Sequence, residues 1–184
     1  MRIVGGRLRG RGLVGPKSAA IRPTADRLRE SLFNVLVHGY GDPVRNARVL
    51  DLFAGTGALG LEALSRGASF ALLIDDRAAA RALLRANVEA LGLGGSARIF
   101  RRDATKLGSP QPLPPFSLVF ADPPYGQRLA EAALVSAREG GWLKPDALIV
   151  VEEAKGKFSP PDGFAELERR AYDDTELIFV RNRT

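Results

Sequence analysis

Two short stretches of this sequence hold residue types that could do chemistry. In the first, Asp51-Leu52-Phe53-Ala54-Gly55-Thr56-Gly57-Ala58-Leu59-Gly60, an apolar run gives way to glycines spaced as GxGxxG. Glycines so spaced let a strand turn into a helix and let a ligand approach the backbone closely, and Asp75, about 20 positions after Gly55, is placed to take the hydroxyls of a ribose. Taken alone, these are dinucleotide features. Asp51 argues otherwise, because a carboxylate just before the loop would repel a pyrophosphate and suit an ammonium group. S-adenosylmethionine offers an ammonium, a sulfonium and a ribose, with no phosphate. The plainer alternative is a tight glycine turn that Asp51 merely caps. Asp103, after a third apolar run, could accept from an adenine amino group while Ala104 supplies a backbone donor. An N-cap for the following turn explains Asp103 equally well.

The second stretch is Asp122-Pro123-Pro124-Tyr125. Two prolines fix the backbone and remove two N–H donors, which leaves carbonyls open. Asp122 and the Pro123 carbonyl could then accept both hydrogens of an exocyclic amine. This turns the nitrogen lone pair toward an electrophile, while Tyr125 stacks on the ring that bears the amine. Holding two reactants in line in this way lowers the entropic barrier to transfer. The alternative is a loop stiffened by its prolines, with the tyrosine packed on a sheet edge.

These residues need a scaffold that brings them to one rim. A helix is expected from Pro23-Thr24, capped by Thr24 and ended by Gly39 and Gly41, with Leu28, Leu32, Val35 and Leu36 at helical spacing. Further helices are expected over Ala58–Arg66, over Arg77–Leu91 behind a cap at Asp76, and over Leu129–Arg138. Apolar strand runs fall at Val49–Phe53, Phe70–Ile74, Ala97–Arg101, Phe116–Ala121 and Ala147–Glu152. Ala165–Ala171 and Glu176–Val180 follow with no helix between them. This alternation predicts an α/β fold: a doubly wound, Rossmann-like sheet of seven strands, covered on both faces and finished by a C-terminal antiparallel hairpin. In such sheets ligands bind beyond the carboxyl ends of the strands, where Asp51, Asp75, Asp103 and Asp122 all fall.

The chain has 184 residues, enough for one domain with a closed core. Its net charge of +6 is unevenly placed. Arg2, Arg7, Arg9, Arg11, Lys17 and Arg22 precede Ala25 without an acid among them, so the remainder is neutral. A basic extension over residues 1–23 on a neutral body of residues 24–184 suits a polyphosphate partner, although a solubilising tail has the same composition. Its glycines, with Ile3, Val4, Leu8, Leu13 and Val14 among the charges, suit a bent hairpin pinned to the body. The absence of cysteine excludes disulfides, thiolate metal sites and cysteine nucleophiles, and the lone His38 cannot build the usual metal site. No metal is therefore expected. The opening Met1–Gly6 lacks the apolar core of a secretion signal and no apolar run would span a bilayer, so a cytoplasmic protein without a membrane partner is expected. Trp142 reads as packing, Glu152-Glu153 as solvated charges at a strand end, and Asp173-Asp174 as a hairpin turn.

With these residues in place, the sequence resembles the class I S-adenosylmethionine-dependent methyltransferases, and more closely the bacterial 16S ribosomal RNA guanine-N2 methyltransferase family of the RsmD type. The resemblance covers essentially the whole chain. It rests on Met1–Gly6 with Arg9-Gly10-Arg11, on Arg22–Arg27 with Arg29-Glu30 and Leu32-Phe33-Asn34, on Asp51–Gly60 continuing to Gly67, and on Asp122–Tyr125. It implies methyl transfer from S-adenosylmethionine to the exocyclic N2 of one guanine in 16S rRNA, within an assembled or assembling small subunit, by a monomer. Carried over by position, Asp51 and Phe53, Ala54, Gly55, Thr56 and Gly57 would hold the methionine part, and Asp103 with Ala104 the adenine. Asp75 would take the ribose hydroxyls, with the adjacent Asp76 as the alternative acid. Asp122, Pro123, Pro124 and Tyr125 would orient the guanine amine. Arg7, Arg9, Arg11 and Lys17, with Arg22, Thr24 and Arg29, would meet RNA phosphates. Rival readings are a DNA or protein-glutamine amino-methyltransferase, a nicotinamide-dependent oxidoreductase, and a non-catalytic RNA-binding adaptor.

Overall fold

The computed structural model describes residues 1–17 and 23–184, with only the backbone at Pro23 and Thr24. The expected cap at Thr24 and phosphate contact at Arg22 therefore lie outside the described residues. Strands β1 (Arg48–Asp51), β2 (Phe70–Ile74), β3 (Ala97–Phe100), β4 (Phe116–Ala121), β5 (Leu143–Ala154), β6 (Phe164–Tyr172) and β7 (Thr175–Asn182) form one sheet in the order β3-β2-β1-β4-β5-β7-β6. The first five strands are parallel, and β7 runs antiparallel between β5 and the edge strand β6. This is the doubly wound sheet with a terminal hairpin that the alternating pattern predicts.

Burial on both faces explains why the strands read as unbroken apolar runs. Val49, Leu73, Leu118, Phe120 and Val150 face one core, where helices α1 (Pro23–Gly39), α2 (Ala58–Ser65) and α3 (Ala78–Ala90) pack. Leu50, Leu72, Val119, Ile149 and Val151 face the other, closed by α4 (Leu129–Gly140) and Trp142. Trp142 stacks on Phe116 at 6.3 Å, and its Nε1 donates to the Gly108 carbonyl at 2.7 Å. The packing role read for it is correct. Because α2 and α3 cover one face and α4 the other, chain direction across the sheet reverses between β1 and β4. Their carboxyl ends are the expected ligand crevice.

The N-terminal residues form a pinned hairpin. Ile3 N–H donates to the Arg11 carbonyl at 2.9 Å, Gly10 N–H to Ile3 at 2.8 Å, and Leu13 N–H to Met1 at 3.0 Å. Ile3, Leu8 and Leu13 enter the first core. The anchor is Glu62 of α2, fully buried, whose carboxylate accepts from Val4 N–H at 2.9 Å, Gly5 N–H at 2.7 Å and Arg66 Nε at 2.8 Å. A buried carboxylate persists only with such partners. Asn87 of α3 ties down the other end, exchanging two hydrogen bonds with the Val14 backbone.

Two expectations are corrected here. Arg29 does not reach the surface: its side chain is 5% exposed, bonded to the Arg2 carbonyl and Asp26 and ion-paired with Glu62 at 3.5 Å. Its charge neutralises a buried carboxylate and is not free for a phosphate. Asp76 is exposed and caps nothing, because α3 opens at Ala78 behind Arg77 without a side-chain cap.

Candidate active site

The first glycine turn places Asp51 at the end of β1, 1% exposed. Its Oδ2 accepts from Gly60 N–H in α2 at 3.1 Å, while Oδ1 is buried with no hydrogen-bond partner among the described residues. The close approach needs Gly60 itself, since a Cβ there would lie 2.4 Å from Leu73 Cδ2. Burial, reinforced by the Asp75 charge, pushes the Asp51 carboxyl up to about 7. An orphaned acid of this kind fits a cation.

Asp75 immediately follows β2, with its carboxylate turned to the same turn and accepting from Gly55 N–H at 3.0 Å. Gly55 adopts φ of 58°, a left-handed conformation that suits glycine. Arg77 grips Asp75 with two donors, Nε at 3.0 Å and an Nη at 2.8 Å. Burial works against ionisation of Asp75, but the bonds from Arg77 and Gly55 outweigh it and hold the carboxyl below its ordinary value. Of the two neighbouring acids, Asp75 is the one on the turn. Asp103 makes the N-cap that its sequence allowed, accepting from Thr105 N–H at 2.9 Å and Oγ1 at 2.7 Å.

Two adjoining cavities run along this rim. One, of about 360 Å³, is lined by Asp51, Phe53, Thr56, Asp122, Pro123 and Glu152, among others. The second, of about 250 Å³, is lined by Asp75, Asp76, Asp103, Ala104 and Thr105, among others. Phe53, Arg77, Asp122 and Pro124 line both, so the acid–glycine turn and the Asp-Pro-Pro-Tyr turn face one another across shared space. Asp122 meets buried surroundings and the charges of Glu152, Asp51 and Glu153, which raise its carboxyl well above the ordinary range.

Glu152 and Glu153 are not the solvated pair the sequence suggested. Glu153 is 1% exposed and accepts from Gly126 N–H at 2.9 Å, strapping down the end of the proline turn. Glu152 lines the first cavity and accepts from the Tyr125 hydroxyl at 2.6 Å. Tyr125, 45% exposed, also lies 3.0 Å from Thr175 Oγ1. Burial and the bond to Glu152 push the Tyr125 hydroxyl up. The sequence signal for these acids was their place just after the apolar run of β5, the same position that marks Asp51 and Asp122.

Beside the site lies a groove of about 620 Å³ lined by Arg2, Arg9 and Arg27, with Asp26 and Glu30. Met1 lines both the groove and the first cavity. Arg7, Arg9, Arg11 and Lys17 are exposed, and an Arg11 Nη donates to the Ala90 carbonyl at 2.7 Å.

Comparison with known proteins shows the family to which the chain belongs. The chain is 44% identical over 153 residues to Ribosomal RNA small subunit methyltransferase D of Escherichia coli K12, covering 83% of this chain and 74% of that protein. It is 39% identical over 159 residues to the Haemophilus influenzae protein of the same name, covering 85% and 80%. A solved Escherichia coli structure, described as putative methyltransferase yhhF, superposes with a TM-score of 0.83 at 35% identity, covering 100% of this chain and 98% of that one. The family described as Conserved hypothetical protein 95 matches residues 1–181, and the chain belongs to that family, the one that includes the small-subunit ribosomal RNA methyltransferase D proteins.

Proposed function

We propose that this protein transfers a methyl group from S-adenosylmethionine to the exocyclic N2 of a guanine in 16S rRNA, the target that the family resemblance gives as guanine 966. The observation that carries the proposal is the shared cavity, where the unpartnered Asp51 oxygen meets Asp122, Pro123 and Pro124, with Tyr125 next in the chain outside the lining. Family membership supports ribosomal RNA as the substrate.

Asp51 would pair with the cofactor's ammonium, Asp75 would take the ribose hydroxyls in exchange for Arg77, and Asp103 with Ala104 would bound the adenine. Phe53 to Gly57 would line the methionine part. When bound, the cofactor supplies an electrophilic methyl on a sulfonium. Asp122 and the Pro123 carbonyl would accept the two amine hydrogens, aim the nitrogen lone pair at that methyl, and stabilise the positive charge that grows on nitrogen as the N–C bond forms. The proton then shed by nitrogen would pass to Asp122, and Tyr125 would stack on the base. Arg7, Arg9, Arg11 and Lys17 would contact RNA phosphates, with the protein acting as a cytoplasmic monomer on the small subunit or its precursor.

The test is nucleoside analysis of 16S rRNA from cells with and without the gene, joined to transfer assays with purified protein. N2-methylguanosine should vanish in the deletion and return with the wild-type gene. Asp122→Ala should abolish transfer while S-adenosylhomocysteine still binds. Unchanged 16S rRNA methylation in the deletion would overturn the reading.

A further inference from the structure

We propose that Glu152 is the residue that selects guanine, its free carboxylate oxygen accepting the N1–H of the base whose 2-amino group Asp122 holds. The inference rests on the function proposed above and adds a specificity determinant to it.

Strand register supplies the placement. Ala121 of β4 pairs with Val151 of β5 in a parallel ladder, so the next residues, Asp122 just past β4 and Glu152 still within β5, stand side by side on one face. Both line the same cavity as Pro123 and Pro124. One Glu152 oxygen is fixed by the Tyr125 hydroxyl at 2.6 Å, and Tyr125 is itself held by Thr175, whose Oγ1 donates to the Glu153 carbonyl at 3.0 Å. The ring that would stack on the base therefore also orients the carboxylate. The second Glu152 oxygen has no hydrogen-bond partner among the described residues.

Base chemistry supplies the match. Guanine presents two neighbouring donors on this edge, the 2-amino group and N1–H. Beside its own amino group adenine presents N1 as an acceptor, and cytosine presents N3 likewise. A second acid next to the amine-binding acid complements the guanine edge and repels the others. In the free protein burial raises both carboxyls, and the Glu152 charge raises Asp122 further through their repulsion. Two donors arriving together relieve that repulsion, whereas an acceptor would add to it. Anchoring of Tyr125 alone would need only one Glu152 oxygen and no place on the cavity wall.

The experiment compares transfer to small-subunit RNA carrying guanine or 2-aminopurine at the methylated position. 2-Aminopurine keeps the amine but has an acceptor at N1. Wild-type protein should favour guanine in kcat/KM by roughly 10–100-fold, the loss expected when a hydrogen bond to a charged group is removed. Glu152→Gln, whose amide can donate to the acceptor, should narrow that ratio toward one. Tyr125→Phe, which keeps the carboxylate, should retain the preference even as its rate falls. Glu152→Ser gives the same comparison if the glutamine variant does not fold. Equal use of both bases by the wild type, or an unchanged ratio in the Glu152 variants, would overturn the inference. Failure of the wild type to methylate the guanine RNA at all would instead overturn the proposed function.

Discussion

The ligand-binding role of Asp51 makes a quantitative prediction. In the free protein its carboxyl is raised to about 7 by burial, reinforced by the charge of Asp75. An ammonium paired with its buried oxygen requires the ionised form, so below about pH 7 binding must first expel a proton. Each pH unit below that point should weaken S-adenosylhomocysteine about tenfold, or about 1.4 kcal/mol, so affinity at about pH 5 should be roughly a hundredfold below its plateau. The ligand keeps its ammonium and ribose, and its amino group stays protonated through this range. Calorimetric titration across the range reads the slope directly. Asp51→Asn retains an acceptor for the Gly60 N–H but removes the charge, and should bind at least about tenfold more weakly on the plateau with little remaining pH dependence. Comparing the two proteins separates Asp51 from Asp122, whose carboxyl is also raised. A flat wild-type profile, or an asparagine variant that keeps the slope, would refute the ammonium assignment.

Other consequences concern stability and RNA. Because the folded state keeps a proton on Asp51 that the unfolded chain loses, this group's contribution to stability falls as pH rises from about 4 to 7, and Asp51→Asn should raise the ligand-free melting temperature at about pH 8, with an upper bound of about 4 kcal/mol. A lower melting temperature in the variant would count against an electrostatic cost at this site. Glu62→Ala should cost about 3–5 kcal/mol in chemical denaturation, because it strands Arg29 and frees the Val4 and Gly5 amides, whose hydrogen exchange should accelerate ahead of the sheet's. Replacing Arg7, Arg9 and Arg11 by alanine should lower the log–log salt slope of RNA binding by roughly one per lost phosphate contact while leaving S-adenosylhomocysteine affinity unchanged. An unchanged slope would return the hairpin to a solubility role.

Much of this was legible because the site lies where local sequence signals are strongest. Asp51 and Asp122 each follow a solid apolar run, and the parallel sheet inferred from those runs puts both at one rim. Gly55 and Gly60 announced a close turn, and the structure gives each a steric or conformational reason. What escaped was pairing between distant residues. Arg29 and Glu62 belong to different helices, and nothing near either one says that they neutralise each other inside the protein. Glu152 and Glu153 look solvated until β5 is seen beside β4, which brings one of them to the cavity and the other under the proline turn. Asp76 looked like a helix cap because it precedes a helical run, yet the local bonds go to Asp75 through Arg77.

The strand order also explains why the acids belong together. Asp51 at the end of β1, Asp122 just after β4 and Glu152 within β5 belong to three adjacent strands, and the shared cavity brings their charges close in partly buried surroundings, where ionisation is costly. A fold selected for stability alone would place apolar or hydrogen-bonded side chains there, as it does at Leu50 and Ala121 one step back along the same strands. Arriving donors would offset that cost, and cationic or amine-bearing donors would do so most. The two halves of the cavity are also coupled, since the charge of Asp51 is among the causes that raise Asp122. A cation paired with Asp51 would cancel that field and favour ionised Asp122, the form that accepts from an amine. Occupation of the cofactor half would thus prepare the base half electrostatically, with no change in backbone position, and amine binding should in turn strengthen the hold on the cation by the same factor.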